Sequence, residues 1–170
     1  MNTAGRIYVI LYRVAASAIV AAAVLIVLPM LFGVFPYAVR TGSMEPAIRT
    51  GSLCFVDRRT SLEELREGDV IAFRVGEMVV THRAVRIDAS GVTTRGDANN
   101  VEDAAKVTDE SLVGRAVFWV PWAGKPLLYL QTLRGKLAAG AAVLLFLLAG
   151  VYYDRLMRER PKENPEAFPP

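Results

Sequence analysis

A chain of 170 residues with 53% hydrophobic residues and a mean hydropathy of +0.31 carries more apolar side chains than one soluble domain of that length uses. Its net charge of +3 says little about nucleic acid, because residues 41–133 hold 11 Lys plus Arg against 13 Asp plus Glu and show no basic stripe. The one cysteine, Cys54, excludes an intramolecular disulfide and a cysteine-based metal cluster.

Residues 1–13 contain Arg6 and Arg13 with no acid and are predicted to be a cytoplasmic flank. No charge occurs between Arg13 and Arg40, and residues 14–37 are predicted to form a transmembrane helix, since about 20 apolar residues in a helix cross the hydrocarbon core. A cleavable signal peptide is the alternative. Its apolar run would be about 7–15 residues and would end in small residues. Here the run is longer, contains Pro29 and closes on Phe35-Pro36-Tyr37, so it is read as an uncleaved anchor kinked at Pro29.

From residue 38 to 133 the pattern turns to short runs of β-branched and aromatic residues bounded by Gly and Asp. Strands are predicted at Ser52–Asp57, Val70–Arg74, Met78–Ile87, Val92–Arg95 and Leu112–Val120, with one helical start signal at Ser61-Leu-Glu-Glu-Leu. The predicted fold class is therefore mainly β, a small antiparallel β domain between two transmembrane helices. Cys54, in Ser-Leu-Cys-Phe-Val, fits a buried residue inside a strand better than a nucleophile paired with His82.

The second span is predicted at 137–153, an uncharged stretch of 17 residues at the lower limit for crossing a bilayer. Arg134 and Lys136 precede it, Tyr152 and Tyr153 end it, and Arg155, Arg158, Arg160 and Lys162 follow. A buried or hairpin-forming helix is the other reading. Residues 154–170, rich in Pro and Glu towards their end, are predicted to be a disordered cytoplasmic tail. Basic flanks at both ends put both in the cytoplasm and residues 38–133 outside, in a multi-pass protein of the plasma membrane whose partner is the lipid bilayer.

Chemistry has few places to go. Ser43 lies in Thr41-Gly-Ser-Met-Glu-Pro, just past the first span; alone, it is also what a turn serine looks like. A serine hydroxyl needs a base, and the chain holds a single histidine, His82, within a strand, where a lone histidine is more often a hydrogen-bonded core residue than a catalyst. Asp97 and Asp103, in a Gly- and Asn-rich turn after a strand, could each hold an imidazole in the right tautomer. No metal and no cofactor are predicted.

Four segments together are more specific than any one of them: Gly-Ser-Met-Glu-Pro at 42–46, Gly-Asp-Val-Ile-Ala-Phe at 68–73, Thr-His-Arg at 81–83 and Gly-Asp-Ala-Asn-Asn at 96–100. Their order and separations resemble type I signal peptidases. Histidine at 82, where the common bacterial branch has lysine, resembles the branch of the endoplasmic reticulum, archaea and some Gram-positive bacteria. The resemblance implies a membrane-bound serine endopeptidase that cleaves signal peptides from secretory precursor proteins by acyl transfer. It implies Ser43 as nucleophile, His82 as base and Asp103 as the acid that orients it, without excluding Asp97, and it marks Asp69 as structural. Thr41 lies where a hydroxyl could help bind the oxyanion. Met44, Ile71, Phe73 and Val79 are candidates for shallow apolar pockets that accept small side chains, and are equally well explained as core.

Two rivals follow from the same residues. One is a related peptidase dedicated to a few pilin, biofilm or spore proteins. The other is a non-catalytic, membrane-anchored β module for binding or assembly. A self-cleaving repressor is disfavoured by the two spans and by the lack of a DNA-binding motif.

Overall fold

The computed structural model describes residues 3–158 and divides the chain into two compact units, one up to Leu128 and one from Tyr129. The first opens with helix α1, Thr3–Val27. Proline lacks the N–H that would continue the ladder and crowds the carbonyl four residues back, so the α-helix stops short of Pro29. Leu28–Phe32 tighten instead into a 3-10 turn, closed by Gly33 at φ 77°, a left-handed conformation that glycine adopts without strain.

Strand β1, Val34–Ala38, follows at once. This corrects the first span, predicted over 14–37: its last residues belong to the sheet. They are apolar because they pair and pack, and nothing in a continuous apolar run marks the point where lipid gives way to β structure. The remaining strands are β2 Leu53–Asp57, β3 Val70–Val75, β4 Met78–Asp88, β5 Gly91–Arg95 and β6 Leu112–Val120. All five were predicted to within a residue at each end. The Ser61 signal yields a single 3-10 turn, Leu62–Glu64, in which the Ser61 N–H donates to Glu64 Oε2 at 3.4 Å.

The six strands form one antiparallel sheet in the order β1-β2-β6-β3-β4-β5. Two-residue connections, Gly76-Glu77 and Ala89-Ser90, join β3 to β4 and β4 to β5. Alternation along β3 splits the core. Val70 and Ala72 join Met44, Ile48, Cys54, Val56 and Val113, whereas Ile71 and Phe73 join Leu65, Ala84, Val92 and Val107. Each fully buried Ile or Val in these clusters stabilises the fold by about 1.5–3 kcal/mol relative to an exposed side chain.

Helix α2, Lys125–Gln131, runs across the division between the units. In the second unit, Thr132 separates it from α3, Leu133–Arg158: the Thr132 hydroxyl donates to the Tyr129 carbonyl at 2.7 Å and accepts the Gly135 N–H at 3.0 Å. Helical order thus extends five residues beyond the predicted span end at 153, and residues 159–170 of the predicted tail lie outside the described residues. By length and composition, Val9–Phe32 and Leu133–Tyr152 are each apolar enough to cross a membrane.

Candidate active site

Consecutive residues of a strand point to opposite faces, so β4 sends His82 one way and Arg83 the other. His82 is buried. It pairs across the sheet with Ile71, and the Phe73 ring stands edge-on to the imidazole with centroids 6.0 Å apart and planes at 65°. Its Nδ1 lies 2.6 Å from Asp103 Oδ2. An ionised carboxylate can only accept, so this contact assigns the proton to Nδ1 and leaves the Nε2 lone pair open to take another.

Asp103 is itself held twice by one residue of β5. The Thr94 hydroxyl donates to the same Oδ2 at 2.6 Å, and the Asp103 N–H donates to the Thr94 carbonyl at 2.8 Å. Thr94 faces the His82 side of the sheet, as its pairing with Ala84 requires, and is fully buried.

On the other face the Arg83 fork closes on Asp97, Nε to Oδ1 at 2.8 Å and Nη2 to Oδ2 at 2.7 Å, while Nη1 donates to the Gly68 carbonyl at 2.8 Å. The hydrogen bonds it donates to Asp97, before any other cause, raise the Arg83 pKa, so the guanidinium stays charged. Asp69 accepts the Arg66 N–H at 2.9 Å, and its Oδ2 lies 3.7 Å from Arg115 Nη1 of β6.

Residues 96–103 therefore supply Asp103 to the imidazole on one face and Asp97 to the guanidinium on the other, and they also hold the serine. The Ala98 N–H donates to the Ser43 carbonyl at 2.9 Å, and a Cβ on Gly96 would meet that carbonyl oxygen at 2.5 Å. Only glycine lets the two backbones come this close. Ser43 is half-buried in a turn pegged by Met44 and Ile48, both in the core, and the Glu45 carboxylate accepts the Thr50 N–H at 3.0 Å and its hydroxyl at 2.9 Å. These bonds, the backbone one first, lower the Glu45 pKa.

The predicted site residues thus separate. Ser43, Asp97 and Asp103 are tied to one loop, and His82 joins it through Asp103. Asp97 contacts Arg83 rather than the imidazole. Thr41 is exposed two residues before Ser43. Met44 and Ile71 are wholly buried in different clusters, Phe73 is buried beside His82, and Val79 is 40% exposed near the β3–β4 turn, so the four share no common wall. Arg83 and Thr94 were given no role in the sequence. Arg83 could have been found as a cation next to the only histidine, on the opposite face of the same strand; Thr94 carries no signal beyond β-branched strand composition.

Residues 12–94 match the family described as signal peptidase, peptidase S26. That match contains Ser43, His82 and Thr94 and ends before Asp97 and Asp103. Signal peptidase I W of Bacillus subtilis is 43% identical over 89 residues, 49% of this chain and 47% of the relative. The signal peptidase complex catalytic subunit sec11 of Sclerotinia sclerotiorum is 33% identical over 100 residues, 51% of this chain and 58% of the relative. The corresponding subunit of Fusarium vanettenii is 34% identical over 99 residues, again 51% and 58%. The chain spans about half the length of the curated relatives it matches.

Proposed function

We propose, from the match of residues 12–94 to the family described as signal peptidase, peptidase S26, that the chain belongs to that family and is a membrane-anchored serine endopeptidase cleaving signal peptides from secretory precursors, with Ser43, His82 and Asp103 as its catalytic group. The observation that carries this reading is the 2.6 Å contact between His82 Nδ1 and Asp103 Oδ2, since it leaves Nε2 free to act as a base.

The reaction is acyl transfer in two halves. Ser43 Oγ bonds to the scissile carbonyl carbon as its proton passes to His82 Nε2. The imidazolium, stabilised by Asp103, then gives that proton to the departing amine, and the C–N bond breaks. Water attacks the resulting ester, again losing a proton to Nε2, and the ester bond breaks as Ser43 recovers its hydrogen. The Ser43 N–H and the Thr41 hydroxyl are the donors proposed for the oxyanion.

Access to the substrate follows from chain order. Val9–Phe32 and Leu133–Tyr152 are proposed to span the plasma membrane with both ends cytoplasmic, and Ser43 stands 11 residues past Phe32. A precursor still in the bilayer would meet the serine close to the surface. Asp97 is proposed as a structural carboxylate, because Arg83 takes both of its oxygens.

The test is cleavage of a precursor ending in an Ala-x-Ala site by the full chain in detergent micelles or liposomes. Ser43→Ala and His82→Ala should each abolish it while the β domain still melts as the unsubstituted protein does. Wild-type cleavage by either variant would remove that residue from the mechanism.

A further inference from the structure

Asp103 side-chain atoms could turn towards water, for the carboxylate is 24% exposed, yet Oδ2 accepts two short bonds at once. One comes from His82 Nδ1 and the other from the Thr94 hydroxyl, each 2.6 Å long. The same threonine fixes the Asp103 backbone, its carbonyl accepting the Asp103 N–H at 2.8 Å. A backbone bond and a side-chain bond from one residue leave the carboxylate little freedom to rotate. Thr94 is fully buried and lies within β5, one residue from its end, so its side chain is held by the sheet rather than by the loop.

From this geometry we infer that Thr94 is a positioning residue of the site, holding the Asp103 carboxylate against His82 Nδ1 and thereby selecting the imidazole tautomer that leaves Nε2 unprotonated. The inference rests on the catalytic reading of Ser43, His82 and Asp103 given above, and extends it one residue outward. Neutral imidazole in water favours the proton on Nε2, the wrong nitrogen for a base that must accept there. Asp103 reverses that preference only while it stays in register. Thr94 does not reach the substrate; it acts through Asp103.

Thr94→Val keeps the size and β-branching of the side chain and removes only the hydroxyl, and Thr94→Ser keeps the hydroxyl and removes a methyl group. A hydrogen bond to a charged group corresponds to about a tenfold change in rate or more when lost. Thr94→Val should therefore lower kcat about tenfold with KM within about twofold, and Thr94→Ser should restore kcat to within about threefold. A second readout is independent of cleavage. His82 is the only histidine in the chain, so the nitrogen-15 shifts of the imidazole in the full chain in micelles report one ring without ambiguity. They should show the Nδ1–H form in the unsubstituted protein and in Thr94→Ser, and a mixture rich in Nε2–H in Thr94→Val.

If Thr94→Val keeps both the unsubstituted kcat and the Nδ1–H tautomer, the inference is overturned. A fall in kcat with an unchanged tautomer overturns it as well, because the hydroxyl then acts by a route other than the imidazole tautomer. Should the unsubstituted chain cleave no precursor, the function proposed above fails, and the tautomer shift still decides whether Thr94 positions Asp103. Should Thr94→Val not fold, Thr94→Ala and Thr94→Ser carry the same comparison.

Discussion

The two faces of β4 carry the same kind of contact with different consequences. His82 and Arg83 are adjacent, and Asp103 and Asp97 come from one loop, six residues apart; each of the two side chains takes one carboxylate. On the Arg83 side each of the three nitrogens, Nε, Nη1 and Nη2, donates, and the raised pKa keeps the group charged, so it offers no lone pair to take a proton. On the His82 side one nitrogen is engaged and the other stays open. A carboxylate in a motif takes its role from its partner: beside a group that cannot release a proton it braces, and beside one that can it tunes.

Of the two aspartates, Asp103→Asn should give the larger effect. Asparagine can offer an N–H to Nδ1, which favours the wrong tautomer, and a loss of about 10³-fold or more in kcat is expected. Melting followed by circular dichroism should change little, because the amide keeps the size and most of the hydrogen bonds. The comparison breaks if Asp97→Asn loses as much kcat per folded molecule.

Asp97→Asn should instead act on stability. Removing the anion leaves the Arg83 fork half satisfied in a partly buried site, a cost of about 1–3 kcal/mol read as a lower Tm, with kcat per folded molecule within about tenfold. The pH dependence has a definite sign. Because the Arg83 pKa is raised on folding, its contribution is fully present below the unfolded value and is lost only as pH rises through the folded one. The Tm difference between Asp97→Asn and the unsubstituted chain should therefore stay constant from about pH 7 to 10, where arginine keeps its proton.

Much of this was legible in residues alone, and the failures have physical reasons. Five strands showed through because β-branched runs ended at Gly, Asp and Ser, and hairpin turns of two residues left little room for error. β1 stayed hidden because Val34–Ala38 continues an apolar run, and hydrophobicity cannot tell a lipid-facing helix from a half-buried edge strand. At the site, the resemblance singled out Ser43, His82 and Asp103, but the residues themselves left Asp97 and Asp103 open. Two aspartates in a turn differ only in which face of a strand each one meets, and that is set by the register of β4 against β5, including the irregularity between Ala84 and Arg86. Thr94 was beyond reach for the same reason: its bond to Asp103 joins a strand to a loop nine residues later.

Cys54 gives the smallest expected effect on activity and sharpens the contrast from the other side of the core. It packs with Met44, Ile48 and Val56, and burial alone pushes its thiol up to about 11. At about pH 8 it is neither reachable nor ionised, so a maleimide should leave precursor cleavage unchanged and should label the chain only in denaturant. Inhibition by the maleimide before unfolding would return Cys54 to consideration as the nucleophile beside His82. Stability carries a further sign. A thiol whose pKa is raised on folding favours the folded state fully below its ordinary value and loses that contribution as pH rises through the folded value of about 11. Tm of the unsubstituted chain should fall between about pH 9 and 11 by more than Tm of Cys54→Ala, even though the alanine variant starts lower because of the small cavity it leaves.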